Sequence, residues 1–264
     1  MRLQGKVAIV TGGAGGIGQG ICRVLAAEGA AVAVADLDRA GAEKVAADLS
    51  GGRAVGLQAD VTDAASIQAM VDAVRTRLGG LDILVNNAGA NVREMGNPLD
   101  GISEADWDRV VAVNLKSVFL VSRAVVPHLK AQRSGKVVNI ASVAGRVANE
   151  YVPHYCAAKA GVINLTIALA KEMAPHNVNV NAVCPGLVYT RFWAEGHGPQ
   201  FAQRRADLKG LDARGVFEKF LERGALKREQ SPEDIGKAVA FFASEDARNI
   251  TGQALNVDSG FIMM

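Results

Sequence analysis

The sequence has little cysteine and almost no net charge. Its three cysteines, Cys22, Cys156 and Cys184, are widely spaced, with no CxxC pair and no histidine cluster beside them. This spacing argues against a disulfide framework or a zinc site, and we expect reduced thiols in a cytoplasmic protein. A formal net charge of +2, with both signs interspersed, provides no electrostatic footprint for nucleic acid. No apolar run approaches the length of a membrane span, and the N-terminus leads directly into a strand, so we expect neither a signal peptide nor a membrane anchor.

The chain instead alternates short apolar runs with stretches of helical periodicity. Its 264 residues are 49% hydrophobic and 21% charged, which suits one soluble globular domain with an ample core. The predicted strands are Lys6–Thr11, Ala31–Asp36, Ala54–Ala59, Leu81–Val85, Lys136–Ala141, Asn177–Val183 and Gln253–Val257. The predicted helices are Ile21–Glu28, Ala64–Leu78, a long one from the capping pattern Ser103–Asp106 to about Ala131, Ala157–Lys171 and Pro232–Phe242. We therefore predict one α/β domain over residues 1–264, with a doubly wound, mostly parallel, seven-stranded sheet and helices on both faces.

A glycine-rich turn joins the first predicted strand to the first helix. Residues 12–18 read Gly-Gly-Ala-Gly-Gly-Ile-Gly, and the second strand of this βαβ unit ends in Asp36. Glycines permit the tight turn and let backbone N–H groups approach an anion at the helix N-terminus, where the helix dipole favours phosphate. A carboxylate at the end of the second strand is placed to bind a ribose diol. Together these features predict dinucleotide binding.

A second constellation of polar residues surrounds the end of the fifth predicted strand. Ser142 follows that strand directly, and Tyr155 and Lys159 stand at the opening of the next helix. Residues four apart share a helix face, so the phenol and the ammonium project to the same side. We expect the cation to lower the pKa of Tyr155 and make the phenol a usable acid/base near neutral pH. On its own, a tyrosine and a lysine four residues apart are more typical of a solvated helix face. Whether this pair is catalytic therefore depends on the residues around it.

The alternation breaks between residues 187 and 226. This segment contains the ring-bearing side chains Phe192, Trp193, His197 and Phe201. A long insertion after a strand end in an α/β fold is typically a lid, and we predict a substrate lid over about 187–226. The alternative is a helical excursion on the surface. Arg204 and Arg205 fit a solvated face better than an anion site.

The motifs, taken in order, resemble those of the short-chain dehydrogenase/reductase family. Residues 11–18 resemble its TGxxxGxG turn, 86–89 its NNAG strand end, 155–159 its YxxxK motif and 185–190 its PGxxxT motif. Ser142 stands at the usual distance before the tyrosine, and Asn114 matches the asparagine within the long helix. The resemblance extends from Lys6 to Gly260. It implies a Rossmann-like fold and hydride transfer between a nicotinamide cofactor and an alcohol or ketone.

The resemblance also implies a role for each matching residue. Tyr155 would exchange a proton with the substrate oxygen, Ser142 would hydrogen-bond that oxygen, and Lys159 would lower the pKa of Tyr155 and hold the nicotinamide ribose. Asn114 would hold a water that passes protons to the lysine; the alternative is a buried asparagine bonded to backbone. The implied cofactor-binding residues are Gly12, Gly16, Ile17, Gly18, Asp36, Leu37, Asp60, Val61, Asn87, Ala88, Gly89, Tyr155, Lys159, Pro185, Gly186, Val188 and Thr190. No residue is implied as a metal ligand.

The choice between NAD and NADP depends on charge near the second strand. Asp36 would repel the 2′-phosphate of NADP and bind the free diol of NAD, and the residue that follows is Leu37, not a cation. Arg39 is the nearby exception, and we expect it to face solvent. We therefore predict NAD as the cofactor of a secondary-alcohol dehydrogenase or ketone reductase. The alternatives are an NADPH-dependent 3-oxoacyl-carrier-protein reductase, a non-catalytic NAD-binding scaffold, and an epimerase, which the missing C-terminal substrate domain disfavours.

The substrate pocket is predicted to be mostly apolar with a few polar groups. Its candidate lining residues are Asn91, Glu94, Val143, Asn149, Tyr151, His154, Leu187, Phe192 and Trp193. This mixture suits a secondary alcohol or ketone. A lone histidine such as His154 is more typically packed in the core or at a rim than catalytic. The family resemblance further implies a homotetramer assembled through the helices that carry Asn114 and Tyr155.

Overall fold

Seven parallel strands form a single sheet in the computed structural model, which describes residues 1–50, 53–90, 92–93, 97 and 99–263. The strands are β1 (Val7–Thr11), β2 (Ala31–Asp36), β3 (Ala54–Gln58), β4 (Ile83–Asn86), β5 (Gly135–Ile140), β6 (Val178–Pro185) and β7 (Ala254–Val257). Their order across the sheet is β3-β2-β1-β4-β5-β6-β7, and each neighbouring pair is parallel. The predicted seven-stranded α/β fold is confirmed, and the sheet is entirely parallel.

Helices cover both faces of the sheet. Within the described part of the chain they are α1 (Gly16–Ala27), α2 (Arg39–Asp48), α3 (Ala64–Leu78), α4 (Glu104–Val111), α5 (Ser117–Gln132), α6 (Pro153–Met173), α7 (Gly198–Arg204), α8 (Ala213–Leu221) and α9 (Pro232–Ala243). One apolar layer, which includes Ile21, Leu25 and Val239, packs on one face. The other layer, which includes Met70 and Leu129, packs on the opposite face. Because both faces are buried, most of the strands are largely apolar along their length.

Side-chain caps fix where several helices begin. The Ser103 hydroxyl accepts from the backbone N–H of Asp106 at 3.2 Å at the start of α4, which confirms the capping pattern. Ser231 and Asp234 form a reciprocal capping box at the start of α9, with Pro232 in its first turn. Helix α2 was absent from the sequence prediction, although Asp38 caps it by accepting from the N–H of Gly41.

A π-helical turn, Ala112–Lys116, joins α4 to α5, so the predicted long helix is interrupted at Asn114. Among the described residues, this continuous stretch, Glu104–Gln132, is long and apolar enough by composition to cross a membrane. That corrects the expectation that no segment approaches such a length. Half of its most apolar window is buried within the protein, where Val121 and Val125 pack against the sheet layer. It is a buried core helix of the α/β fold.

The segment between β6 and α9 forms a small helical lobe with an apolar cluster of its own. A π-helical stretch, Phe192–His197, leads into α7, and α8 follows. Trp193, Phe201, Phe217 and Phe220 are buried in this cluster, which also contains Val110 of α4 and Val152 just before α6. The lobe is therefore anchored onto the main domain at the end where the strands of the sheet terminate.

Strand order reverses at the middle of the sheet, where β1 lies between β2 and β4. From β1 the chain winds outward to β3 on one side, and from β4 it winds outward to β7 on the other. The loops that leave β1 and β4 therefore diverge and leave a crevice at their carboxyl ends. In open parallel sheets this position is where ligands bind.

Candidate active site

One cavity of about 1440 Å³ occupies this crevice. It is bordered by every residue that the sequence predicts for catalysis or cofactor binding. Val143, Asn149, Tyr151, Leu187 and Trp193 from the predicted substrate pocket border it as well. Asn91, Glu94 and the side chain of Phe192 lie outside the described residues.

The glycine turn forms one end of the cavity and is shaped by close backbone approaches. Gly12 adopts a φ of +64°, and a Cβ there would lie 2.8 Å from the Cα of Ala88. A Cβ on Gly16 would lie 2.6 Å from the Cγ2 of Thr190. Helix α1 begins at Gly16 with no side-chain cap and no acidic residue in its first turn. Its first N–H groups therefore form an electropositive end that borders the cavity.

A hydrogen-bonded brace ties the glycine turn to the end of β4. The Thr11 hydroxyl accepts from the backbone N–H groups of Asn87 at 3.0 Å and Ala88 at 3.1 Å. In return, the Asn87 side-chain amide donates to the carbonyl oxygens of Thr11 at 2.9 Å and Gly12 at 3.0 Å. The Asn87 amide N–H groups are thus engaged in holding the turn. The family motif places Asn87 at the cofactor, but no local pattern in the sequence indicates this brace.

Carboxylates gather at the same end of the cavity. Asp36 accepts from the N–H of Ala14 at 3.0 Å through one oxygen and from the N–H of Asp38 at 3.1 Å through the other. Asp60 accepts from both the N–H and the hydroxyl of Thr62. Arg39 is exposed and pairs with Glu43 at 2.8 Å, as expected for a residue facing solvent. At this end of the cavity the described wall is acidic.

Ser142, Tyr155 and Lys159 meet where β5 ends and α6 begins. The Ser142 hydroxyl accepts from the N–H of Ala144 at 3.1 Å, which starts a short helical turn. Lys159 is almost completely buried, and its Nζ donates to the carbonyl oxygen of Ile140 at 2.9 Å. The same Nζ lies 5.7 Å from the centroid of the Tyr155 ring. Helix α6 starts at Pro153, so both side chains project from its first two turns.

The titration of this pair differs from the sequence-based expectation. Burial raises the pKa of Tyr155 to about 12, and hydrogen bonding to Ser142 opposes that rise. Burial also lowers the pKa of Lys159 to about 8. In the chain by itself, therefore, Lys159 does not make the Tyr155 phenol acidic. Desolvation is the largest cause of both shifts, because burial disfavours the charged form of each group.

Asn114 lies in the π-helical turn and is almost fully buried. Its amide nitrogen donates to the carbonyl oxygens of Val110 at 3.0 Å and Ala90 at 3.2 Å. Its side-chain oxygen has no hydrogen-bond partner among the described residues. The alternative prediction, a buried asparagine bonded to backbone, therefore holds for the side-chain nitrogen. The side-chain oxygen belongs to a residue that borders the cavity, and it is available to accept a hydrogen bond there.

The substrate-side wall contains residues that sequence reasoning did not assign to it. His197, Phe201, Arg205, Phe220 and Arg223 border the cavity. The His197 ring lies 6.4 Å from the Tyr155 ring, and burial lowers its pKa to about 4. Four residues separate Trp193 from His197 and His197 from Phe201, so the three rings share one helix face. This four-residue spacing of rings is visible in the sequence and could have identified the wall.

His154 does not border the cavity. It is fully buried, and its Nε2 lies 3.3 Å from an oxygen of Asp106 on α4. Arg109 pairs with the other Asp106 oxygen at 2.7 Å. His154 is therefore a packing residue that joins α6 to α4, which agrees with the more typical role of a lone histidine.

Comparison with known proteins agrees with this architecture. The family described as short chain dehydrogenase matches residues 6–198. A galactitol 2-dehydrogenase from Agrobacterium fabrum is 41% identical, with 98% of each chain covered. A 4-formylbenzenesulfonate dehydrogenase from Comamonas testosteroni is 43% identical over 98% of this chain and 99% of its own length. A 3-oxoacyl-[acyl-carrier-protein] reductase from Thermotoga maritima is 36% identical over the whole of both chains. With the motifs, the parallel sheet and these full-length matches together, the chain belongs to the short-chain dehydrogenase/reductase family.

Proposed function

We propose that this protein is an NAD(H)-dependent oxidoreductase that interconverts a secondary alcohol and a ketone, with Tyr155 as the general acid/base. The observation that carries the proposal is a single cavity with two chemically distinct ends. At one end stand the uncapped start of α1 and the Asp36 carboxylate. At the other end Ser142, Tyr155 and Lys159 converge. A long cavity of this kind can hold a dinucleotide and a small substrate side by side.

The residues at the acidic end fit a nicotinamide dinucleotide. The first-turn N–H groups of α1 and the close glycine contacts would bind the pyrophosphate, since no side chain occupies that helix end. Asp36 would accept hydrogen bonds from the adenosine ribose, with Leu37, Asp60 and Val61 beside the adenosine. Thr190, in contact with the glycine turn, would hold the nicotinamide half. The bound cofactor supplies the hydride in one direction and accepts it in the other.

The chain's own residues would manage the proton. Tyr155 would donate its phenolic proton to the substrate oxygen as that oxygen gains negative charge. The Ser142 hydroxyl, hydrogen-bonded to Tyr155, would donate to the same oxygen and stabilise the charge. Lys159 would orient the cofactor ribose and return a proton to Tyr155. The unpartnered oxygen of Asn114 would fix a water that connects Lys159 to solvent.

The pKa values favour one direction at neutral pH. With its pKa raised to about 12 by burial, Tyr155 stays protonated at pH 7, which is the form needed to reduce a ketone. Oxidation of an alcohol needs the phenolate and would speed up as pH rises. We therefore propose that ketone reduction dominates near pH 7 and that alcohol oxidation requires alkaline conditions.

Charge at the acidic end supports NAD over NADP. Asp36 borders this end of the cavity and would repel a 2′-phosphate there, and Arg39, which could offset that repulsion, pairs with Glu43 instead. A phosphate there would face Asp36 with no described cation beside it. We propose that NADP is used poorly.

The relatives act on chemically different substrates, so their names leave the substrate of this chain open. Galactitol is a neutral polyol, 4-formylbenzenesulfonate is an anionic aromatic aldehyde, and 3-oxoacyl groups are carried on a protein. The wall formed by Tyr151, Trp193, Phe201 and Phe220 favours a compact substrate with a flat apolar part. Reduction of the 3-oxo group of an acyl thioester with NADPH is the second candidate, because the full-length carrier-protein reductase match supports it.

We further propose that the helical lobe acts as a substrate lid and that the protein assembles as a homotetramer. Trp107, Phe119 and Ile167 on α4, α5 and α6 are exposed apolar side chains on the helices implied to form the subunit contacts. Light scattering of the purified chain gives the mass directly. A monomeric mass at micromolar concentration would refute the assembly.

Steady-state reduction rates with two cofactors and two substrate classes test the proposed function. Simple aryl and alkyl ketones and acetoacetyl-coenzyme A are each offered with NADH or NADPH, and oxidation of the nicotinamide is followed by absorbance. The proposal expects turnover of ketones with NADH and little with NADPH. Turnover restricted to the thioester with NADPH would favour the carrier-protein reductase instead.

A further inference from the structure

Arg223 stands apart from the other basic residues that border the cavity. The other three are Lys159, Arg191 and Arg205. Lys159 donates to a backbone carbonyl, Arg191 pairs with Glu195 at 2.7 Å, and Arg205 pairs with Asp207 at 2.7 Å. Within the part of the chain that the structure describes, the Arg223 guanidinium makes no hydrogen bond or ion pair. It is a positive charge at the cavity wall that no described residue neutralises through a hydrogen bond or an ion pair.

Aromatic rings hold this guanidinium in place. Its Cζ lies 5.1 Å from the ring centroid of Phe261 and 5.7 Å from that of Phe220. The Cζ of Arg205 lies 5.5 Å from the same Phe220 ring. Stacking on two rings restricts the Arg223 side chain without consuming its five N–H donors. The result is a positioned donor group with unused hydrogen-bonding capacity next to a second guanidinium.

A continuous line of rings connects Arg223 to the proposed reaction centre. Phe220 lies 5.1 Å from Phe201, Phe201 lies 6.3 Å from His197, and His197 lies 6.4 Å from Tyr155, measured between ring centroids. Each of these residues borders the cavity. The wall between the acid/base group and the cation is therefore lined by aromatic rings.

The described carboxylates at this end do not cancel the charge of Arg223. Glu195 is engaged by Arg191, and Glu150 is an exposed residue at the cavity border with no ion pair to a described residue. Asp36 and Asp60 belong to the opposite end, beside the glycine turn. A ligand that spans the aromatic wall from Tyr155 would thus place its far end beside an unpaired guanidinium.

We propose that Arg223 forms an anion subsite at the outer end of the substrate pocket. The substrate is then a ketone or secondary alcohol whose reacting carbon is joined through a flat apolar spacer to a carboxylate or sulfonate. This inference rests on the proposed function, because it takes the Tyr155 end as the reacting end. A guanidinium binds such oxyanions with paired N–H donors. Because Arg223 is exposed to solvent, we expect a modest preference that salt weakens.

A matched set of ketones tests the subsite. Acetophenone, 4-acetylbenzoate and 4-acetylbenzenesulfonate share the reacting group and ring and differ in the distal charge. For the wild-type protein with NADH, we expect kcat/KM for each anionic ketone to exceed that for acetophenone by about five- to tenfold, as a charge-assisted hydrogen bond allows. We expect 0.5 M NaCl to reduce this ratio. Comparison of 4-acetylbenzoate with 4-acetylbenzenesulfonate shows whether a planar carboxylate or a tetrahedral sulfonate is preferred.

Arg223 in the turn after α8 and Arg204 at the end of α7 provide the variants. Arg223→Gln should bring the ratio of anionic to neutral kcat/KM to about one, and Arg223→Lys should retain part of the preference. Arg204→Gln is the matched control, because Arg204 is exposed but does not border the cavity. A ratio that Arg223→Gln leaves at its wild-type value, or a wild-type ratio of one, overturns the subsite.

Binding separates a failure of the subsite from a failure of the proposed activity. If none of the three ketones is reduced, isothermal titration of 4-acetylbenzoate and acetophenone into the full-length protein gives their affinities directly. Tighter binding of 4-acetylbenzoate that Arg223→Gln removes would support the subsite although the activity is different. Equal affinities in the wild-type protein would overturn it.

Discussion

Replacement of Thr11 by valine tests how strongly the brace between β1 and β4 supports the site. Thr11 is 1% exposed, and its hydroxyl oxygen accepts two backbone N–H groups, from Asn87 and Ala88. Valine keeps the shape but leaves both donors without their acceptor. An unsatisfied buried donor costs about 1–3 kcal/mol, and these two lie in a partly buried loop, so we expect a loss of about 2–4 kcal/mol in unfolding free energy. Urea unfolding followed by circular dichroism at fixed protein concentration measures it.

Thr11→Ser is the control for this experiment. Serine keeps the accepting oxygen and removes one buried methyl group, which costs about 1 kcal/mol. NADH titrated into both variants should bind more weakly to Thr11→Val, because Asn87 and Gly12 lose their fixed spacing. A valine variant within about 0.5 kcal/mol of wild type, or a serine variant as damaged as valine, would refute the role of the hydroxyl as a brace.

Three further substitutions probe charge in the cavity. Asp36→Asn removes repulsion of about 1–4 kcal/mol per unit charge towards a 2′-phosphate, so the ratio of kcat/KM with NADPH to that with NADH should rise about tenfold or more. Lys159→Met should abolish turnover yet stabilise the fold at pH 7 by up to about 3 kcal/mol, because the buried lysine has a folded pKa of about 8. His197→Phe should reduce acid sensitivity, since the folded pKa of His197 is about 4.

The pH windows follow from proton binding in the folded and unfolded chains. Between pH 8 and 10.5 the unfolded chain holds a proton on Lys159 that the folded chain has released. Wild-type stability therefore rises with pH there, and the advantage of Lys159→Met should vanish by about pH 10.5. Between pH 4 and 6.5 the unfolded chain takes up a proton on His197 that the folded chain excludes. Wild-type stability falls with decreasing pH there, and His197→Phe should lack that loss.

Urea unfolding at several pH values checks both stability predictions, and paired NADH and NADPH kinetics check the cofactor prediction. A Lys159→Met variant that is less stable than wild type at pH 7 would show that the bond to the Ile140 carbonyl outweighs desolvation. An unchanged cofactor ratio in Asp36→Asn would remove Asp36 from cofactor selection. An acid profile of His197→Phe identical to wild type would contradict the assigned pKa.

The sequence predicted the sheet because buried parallel strands are largely apolar along their length. All seven strands occur within two residues of the predicted bounds. Helix α2 was not predicted, since its Ala-rich stretch Arg39–Asp48 has weak amphipathic periodicity and only the Asp38 cap signals it. The π-helical turn at Asn114 could not be predicted, because its geometry depends on the contacts that Asn114 makes with neighbouring loops.

At the candidate site, local motifs identified many of the residues that border the cavity. They did not predict the pKa values of those residues or the hydrogen bonds between distant parts of the chain. Tyr155 and Lys159 share a helix face as predicted, yet burial sets their pKa values, and burial depends on the whole fold. The Thr11 brace joins residues 76 positions apart along the chain, and no local pattern reveals such a pairing. The placement of Arg223 beside Phe261 likewise depends on tertiary packing.

The most direct test of the proposed mechanism compares chemistry with cofactor binding in Tyr155→Phe. Phenylalanine preserves the ring and its contact with His197 but removes the proton-donating oxygen. We predict that kcat for NADH-dependent ketone reduction falls by about 10²–10⁴-fold, while the dissociation constant for NADH, measured by fluorescence, stays within about twofold of wild type. Ketone reduction at the wild-type rate by Tyr155→Phe, with NADH still bound, would contradict the assignment of Tyr155 as the acid/base.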